Sequence, residues 1–219
     1  LLMDITWREW FRTPGGRGIV AFCLVTLIGM VLFMPYYYRE LLGPKQGYFI
    51  DDPVLNFFTP EDWSNSVNFI LGLALVQTIV MYWRKPEVIL TAVLTYCLVN
   101  ILRALTMYTV TLEPPADMIL LIDPISALFV YPDKEFAKDL FFSGHVSTVM
   151  AMVFVERSRL WYWIKAAGTA LMSVFLAWQH VHYTVDLVVA PIVAYLAYLG
   201  AQRIIRSVSI QKSGEISQK

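Results

Sequence analysis

Long runs of apolar residues, separated by short polar segments, dominate the chain. A helix needs about 20 mostly apolar residues to cross a bilayer, and six runs approach that length. The predicted spanning helices cover 18–38, 63–83, 88–108, 140–155, 160–178 and 183–200. The fourth run is short, and we expect its helix to extend toward Arg159. The pattern therefore predicts an all-α membrane protein built as a six-transmembrane-helix bundle.

A seventh apolar stretch at 118–130 has only 13 residues and is interrupted by Asp123-Pro124. Proline breaks a helix, and the stretch is too short to span a bilayer. We therefore predict an interfacial or re-entrant segment there. Tyrosines 36–38 fall at the end of the first run, where we expect amphipathic rings to lie at headgroup level.

The positions of Lys and Arg predict the orientation. With the N-terminus placed inside, twelve of the 17 Lys and Arg residues lie on the cytoplasmic side, as the positive-inside rule requires. These are Arg8, Arg12, Arg17, Arg84, Lys85, Arg157, Arg159, Lys165, Arg203, Arg206, Lys212 and Lys219. Both termini are thus predicted to be cytoplasmic. The predicted organisation is a cytoplasmic segment at 1–17, a six-helix membrane domain at 18–200 and a cytoplasmic basic tail at 201–219.

Composition supports this class of protein. Hydrophobic residues make up 58% of the chain and charged residues 16%, and the mean hydropathy is +0.57. These values exclude an ordinary soluble domain, and a formal net charge of zero gives no basic field for nucleic acid. Cys23 and Cys97 lie inside apolar runs, so we interpret them as small core residues rather than disulfide or metal-binding cysteines.

The chain has three histidines, and the predicted topology brings all of them to one membrane face. His145 is at the start of the fourth helix, and His180 and His182 are at the junction between the fifth and sixth helices. All three therefore fall on the non-cytoplasmic side. Ionisable residues at membrane depth indicate a functional site.

His182 and Asp186 are four residues apart, a spacing that places both side chains on one helix face. The carboxylate could then hold one imidazole nitrogen as N–H and leave the other as a nucleophile. The alternative for Asp186 is a purely structural role, because the helix dipole also favours an acid in the first turn.

Two further groups could bind a phosphate. Ser143, Gly144 and His145 open the fourth helix, where free N–H groups could hold an anion, and Arg103 lies in an otherwise apolar helix near that face. The alternatives are an N-cap role for Ser143 and snorkelling to the headgroups for His145 and Arg103. We expect His180 to have a supporting structural role.

These residues together resemble a known signature. The stretches Asp139-Leu-Phe-Phe-Ser-Gly-His145 and His182-Tyr-Thr-Val-Asp186 resemble the paired motifs of the sphingomyelin synthase-like branch of the type 2 phosphatidic acid phosphatase superfamily. The segment from Arg103 to Pro115 is similar to the end of the third span in that branch. The resemblance covers roughly residues 60–200, and the chain looks most like a compact, bacterial-type member.

The resemblance implies a mechanism. His182 would attack the phosphorus of a phospholipid while Asp186 orients its ring, and His145 would act first as acid and then as base. The product of the first step would be a phosphohistidine, formed with no metal and no cofactor. Arg103, Ser143 and Gly144 would bind the substrate phosphate. Asp139, His180 and Tyr183 would support the catalytic side chains.

The chain also departs from the phosphatases of the superfamily. It has no Lys-x6-Arg-Pro motif, and Phe175 and Leu176 replace the Ser-Arg pair that precedes the nucleophilic histidine. Those cations neutralise a phosphomonoester dianion, so their absence favours a phosphodiester donor. Lys138 stands next to Asp139 where the synthases carry a cysteine, which predicts a different headgroup preference.

The leading hypothesis is therefore a phosphotransferase in the bacterial inner membrane, with its site on the non-cytoplasmic face. It would move a phospho-headgroup from a phospholipid to a lipid hydroxyl of the ceramide or diacylglycerol type. Hydrolysis, with water as acceptor, is the alternative that uses the same residues. A non-catalytic membrane protein that binds lipid, a metal ion or haem is the alternative of another class.

Overall fold

The computed structural model describes residues 6–123 and 138–216, and the apolar runs in them form helices. Among these residues there is no strand, and one isolated bridge pairs Tyr48 with Leu112. A π-helical turn covers Tyr37–Leu42, and a 3-10 turn covers Leu55–Phe57. The α-helices are α1 (Trp7–Trp10), α2 (Pro14–Tyr36), α3 (Ser64–Tyr82), α4 (Pro86–Thr109), α5 (Gly144–Phe154), α6 (Arg159–Trp178) and α7 (Thr184–Ile216).

Five helices in the described part of the chain are long and apolar enough to cross a membrane. They are α2 with the π-helical turn, α3, α4, α6 and α7, and their most apolar stretches have mean hydropathies between 1.3 and 2.4. Large apolar side chains such as Leu32 on α2 and Val80 on α3 are mostly exposed, as expected where lipid is the solvent. The chain is therefore a helical, multi-pass membrane protein.

The fourth predicted helix is shorter than the sequence suggests. α5 has 11 residues, or about 16 Å at 1.5 Å per residue, which is about half the thickness of the hydrocarbon core. The expected start at 140 and the extension toward Arg159 are wrong. Residues 140–143 form a loop, and the helix ends at Phe154, before the polar segment 156–158. The described residues therefore hold five membrane-length helices, with α5 as a short buried helix among them.

Both terminal boundaries also differ from the predicted ones. α2 begins at Pro14, because Thr13 caps it with a 3.0 Å hydrogen bond from the Gly16 N–H and proline suits the first helical position. α7 continues through 201–216, so most of the predicted tail is helical. Arginines at 203 and 206 end the apolar stretch, but they do not interrupt the backbone hydrogen bonding of the helix.

Two of the three tyrosines at the end of α2 are covered by protein. Tyr37 and Tyr38 are buried, at 4% and 2% exposure, and only Tyr36 is exposed. The Tyr37 hydroxyl donates to the Ala104 carbonyl at 2.7 Å. This end of α2 is therefore fixed against α4 inside the protein.

The helix pair α4 and α5 packs on α7 through a row of small side chains. Ala190, Ala194, Ala197 and Ala201 are all at most 5% exposed, and their spacing of three or four residues puts them on one face of α7. Small residues allow close backbone approach where the hydrophobic effect between helices is weak.

Cys23 and Cys97 are buried free thiols, which confirms their interpretation as core residues.

The segment predicted to be interfacial or re-entrant is described only up to Asp123. Residues 118–123 are not helical and run along the start of α3. The Ile119 N–H donates to the Gln179 carbonyl at 3.1 Å, and the Ile122 N–H donates to Ser64 Oγ at 3.0 Å. The remainder, 124–130, lies outside the described residues.

A buried ion pair joins three helices at the end of the bundle opposite the histidines. Lys165 Nζ of α6 lies 2.8 Å from Glu156 Oε2 and donates to Thr78 Oγ1 of α3 at 2.8 Å. Glu156 follows α5 and also accepts hydrogen bonds from Gln77 and Tyr82. Burial alone would raise the pKa of Glu156, but hydrogen bonds from Lys165 and Tyr82 outweigh it and lower that pKa to about 2.

Removing one partner of the Lys165–Glu156 pair should lower the free energy of unfolding. Lys165→Met leaves a buried carboxylate without its cation, so we expect the free energy of unfolding to fall by about 3–5 kcal/mol. The double variant Lys165→Met/Glu156→Leu should recover most of that loss, because no unpaired charge remains. Thermal unfolding of the purified protein in detergent measures both. A single variant as stable as the wild type would contradict the assigned role.

The same carboxylate should make stability depend on pH. The pKa of Glu156 in the folded protein is below its ordinary value of 4.5, so its contribution is full above about pH 4.5 and is lost as the pH falls toward 2. We expect the wild type to lose more stability than Glu156→Gln over that interval. Parallel curves for the two proteins in pH-dependent thermal unfolding would contradict this prediction.

Candidate functional site

The start of α5 and the start of α7 meet at one end of the bundle. The Ser143 N–H donates to the Asp186 carbonyl at 3.2 Å, which ties the loop before α5 to the first turn of α7. His145 is the second residue of α5, and His180 and His182 lie in the turn before α7. The structure therefore brings together the helix starts that carry the predicted site.

His182 and Asp186 form the pair that their spacing predicts. Nδ1 of His182 lies 3.3 Å from Oδ2 of Asp186, and the two residues are 2% and 0% exposed. His182 precedes the helix instead of lying within it, because α7 begins at Thr184. Among the described residues, Nε2 of His182 has no hydrogen-bond partner, so the ring is held from one side only.

Asp186 makes the contacts expected for each of the two roles considered for it. Its Oδ2 also accepts the Tyr183 backbone N–H at 3.2 Å, which is the reciprocal arm of a helix cap. Its other oxygen, Oδ1, is buried without a hydrogen-bond partner among the described groups. A helix cap explains the first oxygen. It does not explain a second, unpartnered oxygen on a fully buried carboxylate, which is costly and typical of functional sites.

His145 faces a carboxylate that the sequence did not single out as a partner. Nε2 of His145 lies 3.3 Å from Oδ2 of Asp123, and both side chains are mostly buried, at 17% and 11% exposure. The contact is electrostatic, because Nε2 meets no hydrogen-bond geometry. Asp123 comes from the segment before α5 in sequence, at the edge of the described residues.

The first turn of α5 has the hydrogen-bonding pattern expected for an anion site. Ser143 is fully buried, and its Oγ accepts the Val146 N–H at 3.4 Å as the N-cap. The N–H groups of Gly144 and His145 have no acceptor among the described residues. Ser143 thus takes the capping role, and the backbone of Gly144 and His145 provides the donors that could bind a phosphate.

Arg103 is bound to the loop before α5. Its Nε donates to the Phe142 carbonyl at 2.8 Å, and Nη2 donates to the Asp139 carbonyl at 3.1 Å. Nη2 also lies 2.7 Å from Asp139 Oδ1, which accepts the Tyr38 hydroxyl at 2.6 Å. Snorkelling to the headgroups is therefore wrong for Arg103, which is only 6% exposed, and the fork that we expected to bind phosphate holds protein groups.

Gly144 is required by the closeness of this arginine. A Cβ at position 144 would lie 2.9 Å from Nη1 of Arg103 and 3.0 Å from its Cζ, distances shorter than carbon contacts allow. The guanidinium therefore packs against the first residue of α5. A larger residue at position 144 would have to displace the guanidinium from its contacts with Phe142 and Asp139.

His180 contacts two loop groups through both ring nitrogens. Nδ1 lies 2.8 Å from Asp117 Oδ1, and Nε2 lies 3.1 Å from the Leu55 carbonyl. The hydrogen bond with His180 lowers the pKa of Asp117. With both nitrogens engaged and 4% exposure, His180 has the contacts of a supporting residue.

Tyr183 and Lys138 also join loops at this end. The Tyr183 hydroxyl donates to the Glu113 carbonyl at 2.9 Å, and the ring is 2% exposed. Lys138 Nζ lies 2.8 Å from Glu113 Oε1 and donates to the Lys45 carbonyl at 2.7 Å. Both side chains therefore fix the loop around Glu113 beneath the start of α7.

Besides Asp123, three polar residues at this end escaped the sequence reasoning. Asp52 accepts the Thr184 N–H at 2.6 Å and so fixes the start of α7. Gln179 is fully buried, accepts the Trp63 N–H at 3.0 Å and donates to Ser64 Oγ at 3.1 Å. Asp117, the partner of His180, is the third. No sequence signal marks them, because each contacts residues more than 60 positions away.

Two non-glycine residues at this end of the bundle adopt the left-handed backbone conformation. Phe141 has φ 40° and His180 has φ 56°, and they are the only non-glycine residues with positive φ in the described ranges. Both lie in the loops that precede α5 and α7. Such strain persists only where surrounding contacts over-determine the conformation, and it concentrates at functional sites.

No protein-family model matches the chain, and a search of curated proteins finds no relative.

The contacts of Arg103 predict an effect on stability without any ligand. Arg103→Lys cannot bond both Phe142 and Asp139, so at least one buried acceptor loses its donor, and we expect a loss of about 1–3 kcal/mol in the free energy of unfolding. Arg84→Lys is the matched control, because Arg84 is exposed and keeps its charge over the Trp83 ring.

Thermal unfolding in detergent, with no phospholipid added, distinguishes the two roles of Arg103. Unchanged stability in Arg103→Lys, combined with weaker binding of phospholipid, would contradict the loop-holding role and restore the phosphate-binding one.

Proposed function

We propose that the chain is a membrane lipid phosphotransferase that moves a phospho-headgroup from a phospholipid to a lipid hydroxyl. The observation that carries the proposal is the buried His182–Asp186 pair, in which a carboxylate holds Nδ1 at 3.3 Å. A carboxylate on Nδ1 keeps the proton there and leaves the lone pair on Nε2, as a nucleophilic imidazole requires. The His182–Asp186 pair lies among helices that are long and apolar enough to cross a membrane. This position would give the nucleophile access to lipids.

In the first step, Nε2 of His182 attacks the phosphorus of a phosphodiester donor. An N–P bond forms, and the P–O bond to the diacylglycerol oxygen breaks. His145 enters the step protonated and gives its proton to the departing oxygen. The products are diacylglycerol and a phosphohistidine that carries the headgroup, while His182 acquires a positive charge that Asp186 stabilises.

In the second step, the hydroxyl of the acceptor lipid attacks the same phosphorus. His145, now neutral, takes the hydroxyl proton, a new P–O bond forms, and the N–P bond breaks with its electrons returning to Nε2. Both histidines end in their starting states. Asp123, 3.3 Å from Nε2 of His145, would position the His145 ring for this proton transfer.

The first turn of α5 would bind the non-bridging phosphate oxygens. The N–H groups of Gly144 and His145 supply donors, and the helix N-terminus favours an anion there. A phosphodiester brings one negative charge, which is compatible with the use of Arg103 by protein groups. Ser143 caps the helix and Arg103 holds the loop. Of the three residues expected to bind the phosphate, Gly144 therefore keeps that role in the proposal.

The positive-inside distribution supports a site on the non-cytoplasmic face, with both termini cytoplasmic. A bacterial inner membrane and a ceramide or diacylglycerol acceptor follow from the resemblance of the motifs. Hydrolysis shares the first step, with water as the second nucleophile, and it differs only in its products. Among the described residues, no group of three His, Cys, Asp or Glu side chains could hold a metal ion, so no observation favours the metal-binding alternative.

The test uses proteoliposomes with phospholipid labelled in the headgroup and a ceramide or diacylglycerol acceptor. We expect His182→Ala to lower the rate of headgroup transfer by at least about 10²–10⁴-fold, since it removes the nucleophile. His145→Ala should lose a similar factor. Asp186→Asn should lower the rate without abolishing it, because the ring remains but its tautomer is no longer fixed.

His180→Asn provides the comparison within the same end of the bundle. It should reduce thermal stability through the lost contact with Leu55 more than it reduces the transfer rate per folded molecule. Equal product from the wild type and His182→Ala would reject the mechanism. Release of free headgroup without a new phospholipid would reject the transferase in favour of the hydrolase.

A further inference from the structure

A cavity of about 210 Å³ lies at the end of the bundle opposite the histidines. It is enclosed by the start of α4, the end of α5 with the loop that follows, and the part of α7 around 198–206. A water molecule occupies about 30 Å³ in the liquid, so the cavity has room for a polar group of several heavy atoms. Neither step of the proposed reaction uses it.

Two arginines line the cavity, and the backbone of one of them is held by the buried ion pair and its tyrosine partner. Arg157 follows Glu156, and its backbone N–H donates to the Tyr82 hydroxyl at 3.0 Å and to Glu156 Oε1 at 2.9 Å. Arg206 comes from α7. Two guanidinium groups from different elements that line one cavity form a site for a phosphate, whose oxygens match their planar donors.

The remaining polar lining is compatible with an anion. Gln202 Nε2 donates to the Tyr198 hydroxyl oxygen at 2.7 Å, which leaves the hydroxyl proton available for donation. Glu156 is neutralised by Lys165 at 2.8 Å. Glu87 lies in the first turn of α4, where the helix dipole offsets its charge. With Glu156 paired to Lys165, the two arginines outnumber the one remaining carboxylate of the lining, Glu87.

Apolar side chains line the rest of the cavity and indicate a lipid instead of a free anion. Val88 and Phe154 contribute to the wall, and the membrane-length stretch of α7 ends at Val208, two residues beyond Arg206. The cavity therefore lies where a spanning helix leaves the apolar layer. Phospholipid headgroups occupy that depth, and basic pockets between membrane helices bind them.

We propose that this cavity binds the phosphate of an anionic phospholipid from the leaflet opposite the histidines, with Arg157 and Arg206 as its ligands. The lipid would connect α4 and α7 to the loop after α5. The site is separate from the proposed phosphotransfer, so the failure of either proposal leaves the other intact.

The test compares Arg157→Gln/Arg206→Gln with Arg203→Gln, which removes an exposed arginine of α7 that does not line the cavity. Purified proteins in detergent receive short-chain phosphatidylglycerol, inorganic phosphate or short-chain diacylglycerol, and thermal unfolding is measured. The histidine end is the same in both proteins, so their difference reports the cavity alone.

We expect phosphatidylglycerol to stabilise Arg203→Gln like the wild type and the double variant distinctly less. Each lost charge-assisted contact should weaken binding about tenfold. Arg206→Gln alone gives the same comparison if the double variant does not fold, because its backbone lies within a continuous helix. Equal stabilisation of the cavity variant and Arg203→Gln would overturn the proposal. Inorganic phosphate or diacylglycerol reproducing the full shift would overturn it as well, in favour of a free anion or an apolar ligand.

Discussion

The arrangement of the candidate site depends on the hydrogen bonds of one buried guanidinium. Arg103 holds the Phe142 carbonyl at 2.8 Å and Asp139 Oδ1 at 2.7 Å, which keeps residues 139–142 out of helical conformation. Because the loop is fixed, α5 begins at Gly144. The first turn of that helix carries His145 and the N–H groups that could bind an anion, and Ser143 joins the turn to α7 through Asp186. The position of His145 relative to α7 thus follows from a residue on a third helix.

Hydropathy predicted the long helices well and the short one badly. The predicted ranges 63–83 and 160–178 agree closely with Ser64–Tyr82 and Arg159–Trp178, because a membrane-length run of apolar residues satisfies its backbone only as a helix. The run at 140–155 has no such constraint at its beginning. The Arg103 side chain satisfies the carbonyls of Asp139 and Phe142 instead, and no local sequence pattern reveals that contact. The length of α5 was therefore decided by tertiary structure.

The candidate site was predictable where it depends on local spacing. The pairing of His182 with Asp186 follows from a separation of four residues, and it forms even though His182 lies outside the helix. The contacts of His145 with Asp123 and of His180 with Asp117 join segments that are 22 and 63 positions apart. Arg103 was assigned to the substrate because a buried cation in a membrane helix suggested an anionic ligand. The protein itself supplies that anion, Asp139.

Each of the three histidines thus faces an aspartate. The pairs differ in how many of their polar atoms have hydrogen-bond partners in the surrounding protein. Both nitrogens of His180 contact loop groups, so little capacity remains for a substrate. His182 is held on one nitrogen, and one buried oxygen of its partner Asp186 accepts no hydrogen bond from the residues that the structure describes.

A fully buried carboxylate with an unsatisfied oxygen costs free energy in the resting state. That cost is offset when a positive charge develops on the adjacent imidazole, because the anion then has a cation to stabilise in a medium of low dielectric constant. In the proposed mechanism, attack of His182 on phosphorus would create such a charge. His182, with one ring nitrogen not engaged by the described residues, is therefore the better candidate for the proposed nucleophile than His180, whose two nitrogens both contact loop groups.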